Sequence, residues 1–320
     1  MRRDSGFSLV ELMVAMAIMM LISGAAVSAL LKMTSAQTTI WNRTQMHSGI
    51  RGATEVLQQE VGQAGRIAFP NTVTLGGAIS AGTATVTLNC SGSCASGTTA
   101  VSGMFVGEKL TIDSGCYDTS NPCNATSRIE VVALTAVDTS ANQITAVFAK
   151  DHASGVPVQV FGGFSAGVVP STTTSGSTAT VLKLFGDINA DGNMVYIEYT
   201  CDTTSGNLYR NSMAWNATAP SPAATQSQIL LTNIVANPGG TACFTYQTQN
   251  VNGTDYITDV AITLTVQTQQ VDPVTKQFQT ETKALLNVSP RNVFNVWQLA
   301  SLGINDRVQP TPPSVTSLLP

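Results

Sequence analysis

From Phe7 to Leu31 the chain runs for 25 residues with a single charge, Glu11. At 1.5 Å per residue a helix of that length covers a hydrocarbon core of roughly 30 Å, so the run specifies one membrane-spanning helix. A carboxylate at bilayer depth costs roughly 2.5 to 3.5 kcal/mol on insertion scales, and a chain that keeps one there has a use for it. Arg2 and Arg3 precede the run, and Lys32 is the basic residue that closely follows it. The positive-inside rule therefore places the leader in the cytoplasm and everything beyond Lys32 outside. An ordinary secretory signal cleaved near Ala25-Ala26-Val27-Ser28-Ala29 fits less well, because its apolar region spans 7 to 15 residues and has no reason to retain Glu11. A plain membrane anchor would carry Glu11 only as a burden.

At 320 residues and 33.4 kDa the chain has room for this helix plus one large or two small globular units. Only 11% of residues are charged, while Thr, Ser, Gly, Ala and Val abound, a profile of extracytoplasmic β-rich domains rather than cytosolic enzymes. The net charge is −4, and without a Lys/Arg cluster there is no footprint for nucleic acid. All six cysteines, Cys90, Cys94, Cys116, Cys123, Cys201 and Cys243, follow the apolar run, which reads as disulfides in a translocated region. Of the 15 connectivities that six cysteines allow, the short loops favour Cys90 with Cys94 and Cys116 with Cys123. Cys201 and Cys243 are left as a long-range staple. A zinc site is the competing reading, but there are no paired CxxC spacings and no nearby His.

Beyond Lys32 the helical pattern continues in amphipathic form through Ile40, Ile50, Ala53, Leu57, Val61 and Ala64, with Arg43, Arg51, Gln58, Gln59 and Glu60 on the polar side. Gly62, Gly65 and Pro70 stop it. The expected division is a leader over 1–6, a membrane half over 7–31, an amphipathic half over 32–66 and a β-rich domain over 67–309. Its strands are Thr83–Leu88, Met104–Ile112, Arg128–Val137, Gln143–Phe148, Ala179–Phe185, Met194–Cys201, Ala242–Gln247 and Ile257–Val266. A Gly/Ser/Thr-rich stretch from Phe161 to Ser177 sets off a β-rich insertion over 72–161. The proline-rich end, 310–320, reads as a disordered tail. Val293, Val296, Trp297 and Ala300 predict a short apolar helical face.

The opening Met1-Arg2-Arg3-Asp4-Ser5-Gly6 followed by Phe7-Ser8-Leu9-Val10-Glu11, with Glu five positions after the glycine, resembles the class III signal of type IV prepilins and pseudopilins. The resemblance implies cleavage after Gly6 by a membrane prepilin peptidase and N-methylation of Phe7. It also implies an α+β fold in which a long pilin helix packs on an antiparallel β-sheet domain. Cleavage creates an amine at Phe7, four residues from Glu11, and the amine of a neighbouring subunit can neutralise that acid on assembly. Tyr196-Ile197-Glu198-Tyr199 followed by Gly206-Asn207-Leu208-Tyr209-Arg210, and Pro290-Arg291-Asn292-Val293, look like segments of PilW-type minor pilins and J-type pseudopilins. The resemblance covers residues 1–70 and 180–295.

It implies a minor pilin that associates with other minor pilins, the major pilin, the inner-membrane assembly platform and a tip adhesin. Such a protein is no enzyme, needs no cofactor, and sits in the inner membrane with its globular domain in the periplasm before it joins a pilus. A J-type pseudopilin of a type II secretion system shares the same residues, and a membrane-tethered adhesin is a third reading. Asp187, Asn189, Asp191, Gly192 and Glu198 fit the calcium-loop pattern, with an Asx-rich hairpin turn as the equal alternative. Gly163-Phe164-Ser165-Ala166-Gly167 matches a hydrolase elbow, but both histidines, His47 and His152, precede it and are expected in solvated positions.

Overall fold

The computed structural model describes residues 8–114, 129–171, 175–217 and 228–317. It is an α+β chain in which one long helix precedes antiparallel sheets. Helix α1, Leu9–Gln63, has 55 residues, about 80 Å at 1.5 Å per residue. Its large apolar residues from Leu9 to Met33 are all exposed, as at Leu9 (74%) and Leu21 (75%). Its far half buries Asn42, Ile50, Ala53, Thr54, Leu57 and Val61. Ile40, expected on this stripe, is 65% exposed. Its ten-residue step to Ile50 lies about 80° out of phase with a 3.6-residue period.

Six strands form a closed barrel: β1 Val73–Leu75, β2 Gly82–Cys90, β3 Lys109–Ile112, β4 Glu130–Asp138, β5 Gln143–Phe148 and β6 Pro157–Val160. The order around it is β1, β2, β5, β4, β3, β6. Alternation sends Leu75, Leu88, Leu110, Ile112, Ile144 and Phe148 inward, and they fill the interior. The short β7, Gly163–Phe164, leads to a four-stranded sheet in the order β11, β10, β9, β8. Its strands are β8 Val181–Gly186, β9 Val195–Asp202, β10 Asn207–Ala214 and β11 Ile229–Thr232. A second four-stranded sheet is built on the long β14, Thr254–Gln267. This strand pairs with β15, Thr280–Val288, and also with β13, Phe244–Val251, and the short β12, Ile234–Val235.

Both sheets meet α1 in one core. Ile50, Leu57 and Val61 pack with Leu184, Ile197 and Leu208 from the first sheet, and with Ile262, Leu264 and Val288 from the second. Helix α2, Arg291–Ser301, turns Val293, Val296 and Ala300 inward against Tyr256. Residues 310–317, expected to be disordered, are ordered: β16, Val308–Gln309, pairs parallel to β7, and α3, Pro313–Ser317, follows it. The reason is apolar. Val315 is fully buried in a cluster with Phe105, Phe164, Phe185 and Tyr196.

The structure joins Cys90 to Cys94 and Cys201 to Cys243. Cys116 and Cys123 lie outside the described residues. The second bridge sits in the core beneath α1 and ties β9 to the residue preceding β13, so it spans the two sheets. It closes a separation of 42 residues. Replacing both cysteines, Cys201→Ala with Cys243→Ala, is expected to lower the unfolding free energy by about 2 to 5 kcal/mol. Guanidinium unfolding of the detergent-solubilised chain measures this, and an unchanged midpoint would show that the bridge contributes nothing.

Candidate functional site

The features that set this molecule's behaviour are a helix half with no partner and the machinery that grips the other half. The grip centres on Glu60. Assigned from sequence to the polar side of the helix, it instead faces β9 and β10. Register explains this, since Arg210 lies directly across from Tyr199 and both reach the same carboxylate. Arg210 Nη2 donates to Glu60 Oε1 at 2.7 Å, its Nε donates at 3.1 Å, and the Tyr199 hydroxyl also donates to Glu60. Burial, and then the adjacent Glu60 carboxylate, push the Tyr199 hydroxyl above its ordinary range. Burial opposes the charge on Arg210, but Glu60 outweighs it and holds the guanidinium protonated above its ordinary value.

Magnitudes divide the labour. Each fully buried Leu, Ile or Val contributes roughly 1.5 to 3 kcal/mol, so Ile50, Leu57 and Val61 supply most of the attachment. A buried ion pair adds little net stability, but leaving one partner alone is costly. Glu60 with Arg210 is therefore expected to act on the rotation of the helix about its axis more than on its net stability.

Where α1 ends, the chain threads a tight glycine junction. Gly65, with φ of 81°, receives the Phe164 N–H at 3.0 Å and donates to Phe185 O at 2.9 Å. Gly167 lies so close that a Cβ there would stand 2.3 Å from the Gly65 backbone. The elbow-like string Gly163–Gly167 is thus the seat of this junction, with Ser165 buried within it.

The calcium-pattern residues divide between one turn and strand β9. Asp187 is fully buried, accepts the Asp191 N–H at 3.0 Å and lies 3.3 Å from Arg66 Nε. Asp191 accepts the Asn193 N–H at 2.9 Å. Asn189 belongs to the same turn, whereas Glu198 lies along β9 opposite Lys183, where it accepts from Tyr196 at 3.2 Å. Among the described residues no cluster of three or more His, Cys, Asp or Glu is placed to hold a metal.

One histidine differs from expectation. His47 is exposed, as expected, and contacts Glu281 on β15, whereas His152 is buried against the barrel, with Nε2 2.6 Å from Glu130. The loop that carries His152 is held by Glu130, whose carboxylate also accepts the Ala149 N–H at 2.8 Å. Nothing in the turn's composition signalled that burial.

The unpartnered half of α1 is capped by its own acid. The Ser8 hydroxyl accepts the Val10 N–H at 3.3 Å, and Glu11 accepts the Ser8 N–H at 2.9 Å, a reciprocal capping box. Among the described residues no cation lies within salt-bridge distance of Glu11. The carboxylate is thus placed by its own backbone, without an ion-pair partner among the described residues, at the end of a helix long and apolar enough to cross a membrane. Gly6 and Phe7 lie outside the described residues.

Residues 1–27 match the family described as the prokaryotic N-terminal methylation motif. No curated protein matches the chain. The motif supports a type IV pilin-like or pseudopilin protein that is a substrate of prepilin peptidase, anchored in the membrane by a single pass.

If Glu60 is the rotational lock, Glu60→Ala should strand Arg210 and cost about 3 to 5 kcal/mol. Adding Arg210→Met should return part of that loss. A double-mutant cycle by chemical unfolding measures the coupling, and strictly additive losses would remove the pair from the account.

Proposed function

We propose that this chain is a minor pilin of the PilW type. Prepilin peptidase removes residues 1–6, Phe7 is methylated, and the subunit enters a priming or tip complex with other minor pilins, the major pilin and the assembly platform. A tip adhesin is a further partner. Before assembly it resides in the inner membrane with its β-domain in the periplasm, and it catalyses nothing. Structural Ca²⁺ is not required by this reading.

One observation carries it: α1 is gripped over its second half and bare over its first, with Glu11 at the bare end. Leaving the membrane exposes that apolar half to water, so it must bundle with the helices of other subunits. Glu11, already oriented by Ser8, then meets the terminal amine of a neighbour, and both charges are neutralised away from water. The PilW assignment rests on the sequence resemblance of the segments that form β9 and β10, which carry Tyr199 and Arg210. A six-stranded barrel with a core of its own adds bulk suited to a subunit placed once at a tip rather than repeated along a shaft.

Glu11→Ala is expected to leave processing and membrane insertion intact while cutting recovery in sheared filaments by roughly tenfold or more, the factor that a loss of about 1.4 kcal/mol brings. Immunoblots of sheared and membrane fractions decide it. Native recovery of the variant would sink the assembly role of the acid.

A further inference from the structure

Where α1 leaves the β-domain, two adjoining crevices open beside the helix. One, of about 200 Å³, runs between α1 and strands β11 and β14, and Asn42, Gln45, Asn233 and Gln267 contribute to its wall. The other, of about 580 Å³, is walled in part by Gln37, Trp41, Asn42, Gln45, Gln269 and Gln270. The larger falls within the range of small-molecule sites, roughly 300 to 1,000 Å³. No Asp, Glu, Lys, Arg or His lines either one.

Three observations bear on what such a groove takes. Asn42 is only 7% exposed, yet among the described residues its Nδ2 has no hydrogen-bond partner. A buried donor left unmade costs about 1 to 3 kcal/mol, so the helix carries an amide that its own domain does not satisfy. Beside it Trp41 is 71% exposed and offers an indole face. Around both stand neutral carboxamides, each able to donate and to accept.

We propose that this groove binds a neutral oligosaccharide, with a sugar ring lying on Trp41 and its hydroxyls paired with Asn42, Gln45 and Gln269. A pyranose has an apolar C–H face and a rim of groups that both donate and accept, which matches an aromatic plate bordered by amides. Phosphates, carboxylates and metal ions find no opposite charge here. An apolar helix docked in the groove would bury the amides without partners, at a cost for each. The proposal does not rest on filament entry and stands or falls separately from it.

The test uses the full chain in a detergent without a sugar headgroup, titrated with maltohexaose and, separately, with hexa-N-acetylchitohexaose. Saturation-transfer NMR and tryptophan fluorescence report binding. Saturable binding of at least one oligosaccharide at sub-millimolar concentration is expected. Trp41→Ala and Asn42→Leu should each weaken it by about tenfold, equivalent to 1.4 kcal/mol, with circular dichroism unchanged. Should Asn42→Leu fail to fold, Gln45→Leu, on an exposed position, takes its place. The proposal is overturned if neither sugar binds at millimolar concentration, or if the variants bind as tightly as the native chain. It is also overturned if Trp41→Ala abolishes self-association instead, which would give the groove to a second copy.

Discussion

A carboxylate on an apolar helix that its own domain leaves bare is the constraint from which the rest of this molecule follows. Between Leu9 and Met33 every large apolar side chain faces outward, so the fold does not hide this surface and lipid or other helices must. Glu11 sharpens the demand. Its hydrogen bond to Ser8 satisfies a backbone donor and orients the acid, but a neutral N–H leaves the charge in place. A partner that brings a cation to that point gains more than one that merely covers methyl groups.

The β-domain is organised to hold the other half of the helix still. Two sheets converge on one helical stripe, a disulfide ties them beneath it, and Arg210 with Tyr199 fixes Glu60. The glycine junction at Gly65 then sets the direction in which the chain enters the sheets. A free helical half positioned by so many contacts has a defined orientation relative to the domain. That geometry lets a helical bundle carry globular domains in a regular arrangement.

Much of the architecture was legible in the residues. The apolar run, by its unbroken length, and the later stripe at Ile50, Ala53, Leu57 and Val61, by its period, specify one continuous helix. Alternation at Val260, Ile262, Leu264 and Val266 marked β14, and the spacing of Val293, Val296 and Ala300 marked α2. What escaped notice depends on tertiary contact. Strands β1 and β6 span only 3 and 4 residues, too short for a periodic signal, so closure of the barrel could not be read. Glu60 looked like a solvated charge because its partner Arg210 is 150 residues away. His152 and Val315 sit in turn-like and proline-rich stretches, and only the neighbours they meet in space bury them. The position of Glu198 is likewise set by pairing, since β9 places it opposite Lys183 of β8.

The central claim is that proteolysis creates the charge that Glu11 awaits. Mass spectrometry of the amino terminus of the native membrane protein tests it most directly. The account predicts a mature chain that begins at N-methylated Phe7. A chain that begins near Ala29, or one that functions with its first six residues still attached, would contradict it.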